Sequence, residues 1–233
     1  MTPHHLKLHH YPASRSARAK WMLHEVVGNN FEVSRVALYD GAQYSDEFLR
    51  LNPNHAVPVL EITWDNGTVQ RVIESAAIVA FLADAYPAAG LAPPPGPSPE
   101  RADYLQMLHF GSTWMDMMLW QIRIHEHVLP ADQRDDRTIV RYRRKFEQEA
   151  EPQVAERLAR TPFICGDAFT AADCIVGHSV IWARGYGLCR DEVFKAYVGR
   201  LSQRPAFAAA FADAREFEKQ VPQDKPLVRR FTG

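Results

Sequence analysis

The run LHHYPASRSARAKWMLHEVVG, residues 8–28, passes from a strand-like start into a helical pattern, with Ser14 at the bend between them. A hydroxyl there either caps the helix or faces a ligand. Further on, IESAAIV sets Glu74 and Ser75 at a helix opening. Free N–H groups and the positive end of the helix dipole favour a carboxylate at such a place, and a serine adds one more donor. In NPNHAVPVL, Pro58 stands directly before a strand. A cis Val57-Pro58 bond there would turn the Val57 N–H and C=O outward to pair with an extended peptide ligand. His125-Glu126-His127 has metal-binding residue types, but histidines at i and i+2 of a helix point apart and no H-E-x-x-H occurs, so no metal is expected. Phe110, Trp114 and Met118 share a helical face that suits either a core or a pocket for varied apolar guests, whereas Trp120 falls off that stripe. Thr170 and Asp173 form a capping box, read as structural.

The elements that position these residues follow from periodicity. Leu6, Leu8 and His10 alternate as on a strand; Ala19, Met22, Leu23, Val26 and Val27 then follow one helical face, and Gly28 sits where a C-cap belongs. Phe31, Val33 and Val36 suggest a second strand, and YSDEFLRLN a short helix. VPVLEIT and TVQRVI flank WDNG, a hairpin signal, and ESAAIVAFLADAYP is helical up to Pro87. The order is βαβα, a β-hairpin, then α, over residues 1–86. Proline-rich residues 87–99 read as a linker. Beyond them only helical patterns remain, at 100–128, 136–159, 171–186, 191–202 and 205–218, which predicts an all-α domain over 100–218. The proline-interrupted tail, 219–233, is expected to lie over the surface or to be partly mobile.

Composition narrows the function classes. The chain has 233 residues, 46% hydrophobic and 24% charged, ordinary values for a globular protein. No run approaches the ~18 apolar residues of a membrane span. A net charge of −1 gives no general attraction to nucleic acid, and the basic residues from Arg134 to Lys145, interrupted by Asp135 and Asp136 and followed by Glu147, Glu149 and Glu151, read as a solvated helix face. The N-terminal residues lack the pattern of a secretory signal, and Cys165, Cys174 and Cys189 cannot form a complete disulfide set, so a cytoplasmic location is expected.

Together, the βαβαββα order, Val57-Pro58, Glu74-Ser75, the proline-rich linker into helices and the CGDAFTAAD box resemble the cytosolic glutathione transferases over about residues 6–218. The resemblance implies a thioredoxin-like α/β domain that binds glutathione and an all-α domain that supplies most of the electrophile pocket. It also implies a homodimer and a role in detoxification. PASRSAR, with Pro12, Ala13, Ser14 and Arg18, resembles the serine-type branches, phi and theta-like, and so assigns catalysis to Ser14; Ser16 and Tyr11 are the local rivals. A free thiol titrates near ~8.5, so only a few per cent is thiolate at neutral pH. A serine hydroxyl cannot act as the base, but it can donate a hydrogen bond to S⁻. Carried over residue by residue, the family pattern gives the cysteinyl backbone of glutathione to Val57, before Pro58, and its γ-glutamyl end to Ser75 and Glu74. Where many relatives have Gly followed by Gln or Lys, this chain has His55 and Ala56, so His55 or Gln43 is expected to replace the missing contact. Tyr11, Phe110, Trp114 and Met118 are the candidates for the electrophile pocket. The expected reaction is attack of the glutathione thiolate on a small apolar electrophile. Glutathione-dependent isomerisation, peroxide reduction, dehalogenation or ether cleavage, and a non-catalytic protein-docking module, are the alternatives.

Overall fold

The computed structural model describes residues 3–221. Its first part is a four-stranded sheet of order β2-β1-β3-β4, built from β1 (Pro3–His10), β2 (Glu32–Arg35), β3 (Val59–Trp64) and β4 (Val69–Ile73). β1 pairs parallel with β2, Leu8 opposite Val33, and antiparallel with β3, Leu8 opposite Leu60. β3 and β4 form the expected hairpin, with Gly67 at φ 81° in a turn that other residues rarely adopt. The crossover between the parallel strands β1 and β2 is α1 (Ser16–Val27), closed by Gly28 at φ 62°. β2 is shorter than its apolar pattern suggests; Phe31 and Val36 fall outside it, and Val33 is 42% exposed on an edge strand. α2 (Asp46–Leu51) is capped by the Ser45 hydroxyl, which accepts from the Phe48 N–H at 3.2 Å. α3 is Ser75–Ala85.

The second part is helical: α4 (Pro99–His109), α5 (Asp116–Arg123), α6 (Asp136–Lys145), α7 (Glu151–Arg160), α8 (Ala171–Gly185), α9 (Glu192–Ser202) and α10 (Pro205–Ala210). Wide π-helical turns, Phe110–Met115, Ile124–Val128 and Phe146–Ala150, interrupt the long patterns. Each extra residue in such a turn shifts the face that follows by roughly 100°. The stretch expected to be helical over 205–218 leaves the α-helix after Ala210; Asp213 is drawn instead to Lys20 and His10 of the first part. At the start of the tail Lys219 and Gln220 are exposed, while Val221 is 5% exposed and its N–H meets the His127 carbonyl at 3.4 Å. The rest of that tail lies outside the described residues.

One apolar core joins the parts, and α1 is its axis. Trp21, fully buried, packs edge-on against Phe207 at 5.0 Å and beside Phe169 at 5.5 Å, each such burial contributing about 1.5 to 3 kcal/mol. α8 also comes so close to α9 that a Cβ on Gly177 would stand 2.5 Å from Leu201 Cδ1. The Thr170–Asp173 capping box starts α8, and Asp173, fully buried, also accepts from the Ile164 N–H and the Tyr197 hydroxyl.

Candidate active site

β1 ends at His10, the chain turns through Ala13 at φ 49°, and α1 begins at Ser16. The N-cap residue of α1 is Arg15, with no side-chain capping bond. Ser14 Oγ lies 2.8 Å from the Tyr11 carbonyl oxygen, to which it donates, and 2.7 Å from Ser16 Oγ. Its contact with the helix backbone is a long one, 3.3 Å from the Ser16 N–H. Half-buried, it lines a cleft of about 620 Å³ between the sheet part and the helical part.

Behind Ser14 runs a string of polar groups that the periodicity of β1 did not reveal. Ser16 Oγ, fully buried, lies 2.7 Å from His10 Nδ1, and His10 Nε2 lies 3.2 Å from Asp213 Oδ2, which Lys20 Nζ also holds at 2.7 Å. Burial, helped by Lys20, pushes His10 down to about 4 despite Asp213, so the ring is neutral at pH 7. Asp213 can only accept, so Nε2 carries the proton and Nδ1 accepts from Ser16. A depressed histidine destabilises the fold as pH falls: unfolded His10 binds a proton from its ordinary 6.5, the folded one only near 4. Stability present at neutral pH should therefore fall by about 2 kcal/mol on going to pH 5. His178, also pushed well down by burial, adds in the same sense. Urea melts at the two pH values check this, and equal midpoints would mean that the His10 ring is solvated.

Under the bend the two parts are locked by charge. Arg18, 1% exposed, meets Asp116 Oδ2 at 2.8 Å, His178 Nδ1 at 3.1 Å, Ser179 Oγ at 3.0 Å and Ser75 Oγ at 3.3 Å. Burial opposes the Asp116 charge, but Arg18 and Arg15 overcome it and hold the carboxyl below its usual range. The His178 side chain also bonds the Ser14 backbone. Arg15 grips both Asp116 oxygens through Nε, at 2.8 and 2.9 Å, and lies over the Trp120 and Trp182 rings.

Of the residues singled out in the sequence, Tyr11, Ser14, His55 and Val57 line the cleft together, as do Gln43 and Ala56. The Val57-Pro58 bond is cis, with Pro58 buried behind the lining. Glu74, at φ 71°, is exposed and is the residue before α3; Ser75 is buried as its first residue and is reached through Arg18. The expected Phe110, Trp114 and Met118 wall requires correction. Met118 is fully buried in the core, and Phe110 and Trp114 border a different, shallow groove, with Lys145 over the Trp114 ring. The wide turn at Phe110–Met115 breaks the four-residue spacing that aligned them. The helical side of the cleft is made by Trp120 and Arg123 of α5, His178 and Trp182 of α8, and Phe217 and Lys219 beyond α10. The off-stripe position of Trp120 was the one sequence signal for this wall; the others come from elements far apart in the chain. Burial raises Tyr11 to about 12, so it remains a neutral phenol. Among the described residues no cluster of His, Cys, Asp and Glu could hold a metal ion, and no helix is long and apolar enough to cross a membrane.

Comparison with known proteins agrees with this architecture. Residues 4–84 match the family described as glutathione S-transferase, N-terminal domain, and residues 148–213 match glutathione S-transferase, C-terminal domain. Glutathione S-transferase D7 of Anopheles gambiae is 34% identical over 86 residues, which cover 37% of this chain and 36% of the relative. The match thus spans about a third of the length of such curated relatives. Among solved structures, a glutathione transferase of Methylococcus capsulatus superposes with a TM-score of 0.76 at 28% identity, covering 91% of this chain and 100% of its own. A sphingomonad glutathione S-transferase complexed with glutathione does so with a TM-score of 0.75 at 27% identity, covering 90% and 98%. A thioredoxin-like sheet domain and a helical domain, each matched by its own family description, make this chain a member of the glutathione S-transferase family.

Proposed function

We propose that the cleft binds glutathione and that Ser14 holds its sulfur as a thiolate, which attacks a small, largely apolar electrophile by substitution or conjugate addition. The supporting observation is that Ser14 and Val57, the residue before the cis proline, face one cleft. An extended tripeptide paired with the Val57 backbone brings its central residue toward the bend. There the Ser14 hydroxyl leaves the Tyr11 carbonyl and donates to sulfur, aided by the N-terminal dipole of α1. Ser16 is less suited to this role, being fully buried and tied to His10. Gln43, 2% exposed, lines the cleft, where its side-chain amide N–H is the group able to donate in place of the contact missing at Ala56; its Oε1, which has no partner, can accept a ligand N–H. His55 is exposed and rests against Tyr44. Glu74 and Ser75, at the start of α3, take the γ-glutamyl end. A homodimer in the cytoplasm, with a role in detoxification, completes this reading.

Calorimetry with glutathione, followed by ultraviolet titration of the bound thiolate, tests it. Micromolar to millimolar binding with sulfur ionised at neutral pH is expected. Absence of binding at millimolar levels, or a bound thiol that titrates like the free one, rejects it. In the same assay Ser75→Ala should weaken binding by about 1 to 2 kcal/mol without unfolding the protein; wild-type affinity would remove Ser75 from the site.

A further inference from the structure

Three lysine or arginine side chains are buried among the described residues: Arg18, Lys20 and Arg123. Two have a carboxylate, Asp116 at 2.8 Å from Arg18 and Asp213 at 2.7 Å from Lys20. Arg123, 7% exposed, forms no ion pair among the described residues. Its Nη1 donates to the Lys219 carbonyl at 2.6 Å, its Nη2 to the Tyr39 hydroxyl at 3.1 Å and, at 3.5 Å, to the Glu218 carbonyl, and the Tyr186 hydroxyl also bonds the guanidinium; all are neutral acceptors, and its Cζ stands 5.1 Å from the Phe217 ring centre. A guanidinium has five N–H donors, so these contacts leave some of them unused. Removing a cation from water without a counter-charge costs several kcal/mol, and carbonyl dipoles offset only part of that. This cation lines the cleft one helical turn from Trp120, and the cleft has no Asp or Glu among its described lining residues.

We propose that the electrophile accepted by this cleft carries an anionic group, a carboxylate or sulfonate, seated on Arg123, with its apolar body against Trp120 and Trp182. The proposal rests on the reading of the cleft as an electrophile pocket and narrows the substrate class from apolar to amphiphilic. Arg15, the other guanidinium near those tryptophans, is already neutralised by Asp116; Lys219 also lines the helical side but is exposed, which leaves Arg123 as the buried anion-seeking charge there.

Two fluorescent probes with the same aromatic body, anilinonaphthalene sulfonate and uncharged phenylnaphthylamine, test the proposal without requiring turnover. The wild-type protein should bind the sulfonate about tenfold more tightly than the amine, as a charge-assisted contact predicts. Arg123→Gln should abolish that preference while leaving the amine within about twofold, and Arg123→Lys should retain part of it. Thermal melts of each variant accompany the titrations. If Arg123→Gln does not fold, the Lys variant and the wild-type probe pair decide. Equal wild-type affinities overturn the proposal. So does parallel weakening of both probes in Arg123→Gln, which would mean that the arginine only anchors residues 217–219. Weakened glutathione binding in the variant, measured by calorimetry, would assign the charge to the cosubstrate and likewise overturns it. A wild-type protein that prefers the sulfonate through Arg123 but fails to bind glutathione would uphold the anion site and reject the thiolate reading.

Discussion

Asp116→Ala is expected to cost the folded protein about 3 to 5 kcal/mol, a fall in melting temperature of roughly 10 °C. The reason is what the change leaves behind. Asp116 sits at the start of α5 with 7% exposure, and Arg15 of the first domain holds both its oxygens while Arg18 shares Oδ2. Arg15 is partly exposed and keeps its place over Trp120 and Trp182, so it tolerates the loss. Arg18 is 1% exposed; without Asp116 its charge faces only the neutral His178, Ser179 and Ser75. Scanning calorimetry measures the loss, and the double variant Arg18→Met, Asp116→Ala should recover much of it, because removing both charges is far less costly than stranding one. A single variant within 1 kcal/mol of wild type would mean that water reaches the junction.

Ser14→Ala should raise the apparent pKa of the bound thiol by about 2 units, ~2.7 kcal/mol, while glutathione affinity stays within a few fold. Well below that pKa the rate then falls about a hundredfold, since the thiolate fraction falls in proportion. As the pH is raised past the new value, the difference from wild type should close, because sulfur ionises without help. That convergence distinguishes loss of a hydrogen-bond donor from a damaged site, which stays slow at every pH. Ser14→Thr, which keeps a hydroxyl, should lie between the two. An alanine variant whose pH–rate profile overlays the wild-type one would transfer the role to Ser16 or Tyr11.

How much of this was legible in the chain depends on the range over which each interaction acts. The hairpin was readable from Asn66-Gly67, the close of α1 from Gly28 and the start of α8 from Thr170 and Asp173, because turns and caps are satisfied by neighbours within a few residues. Ser14, Val57, Glu74 and Ser75 stood out because bends and helix openings expose backbone groups wherever they occur. The Phe110, Trp114 and Met118 stripe misled because a regular period was assumed across a turn that tertiary packing widens. The end of the helical pattern after Ala210 was likewise hidden, since Lys20 and His10, nearly the whole chain away, draw Asp213 off the helix axis.

The amino-acid order alone therefore settled the order of strands and helices, the two-part architecture and the bend that carries Ser14, all of which rest on contacts between near neighbours. Only the folded chain decided that Arg18 would be locked by Asp116, that His10 and Asp213 would stand behind Ser16, and that Arg123 would enter the cleft without a carboxylate. Charge pairing and burial depend on which surfaces meet, and residues about a hundred or more positions apart meet only when the core between α1 and α8 has formed.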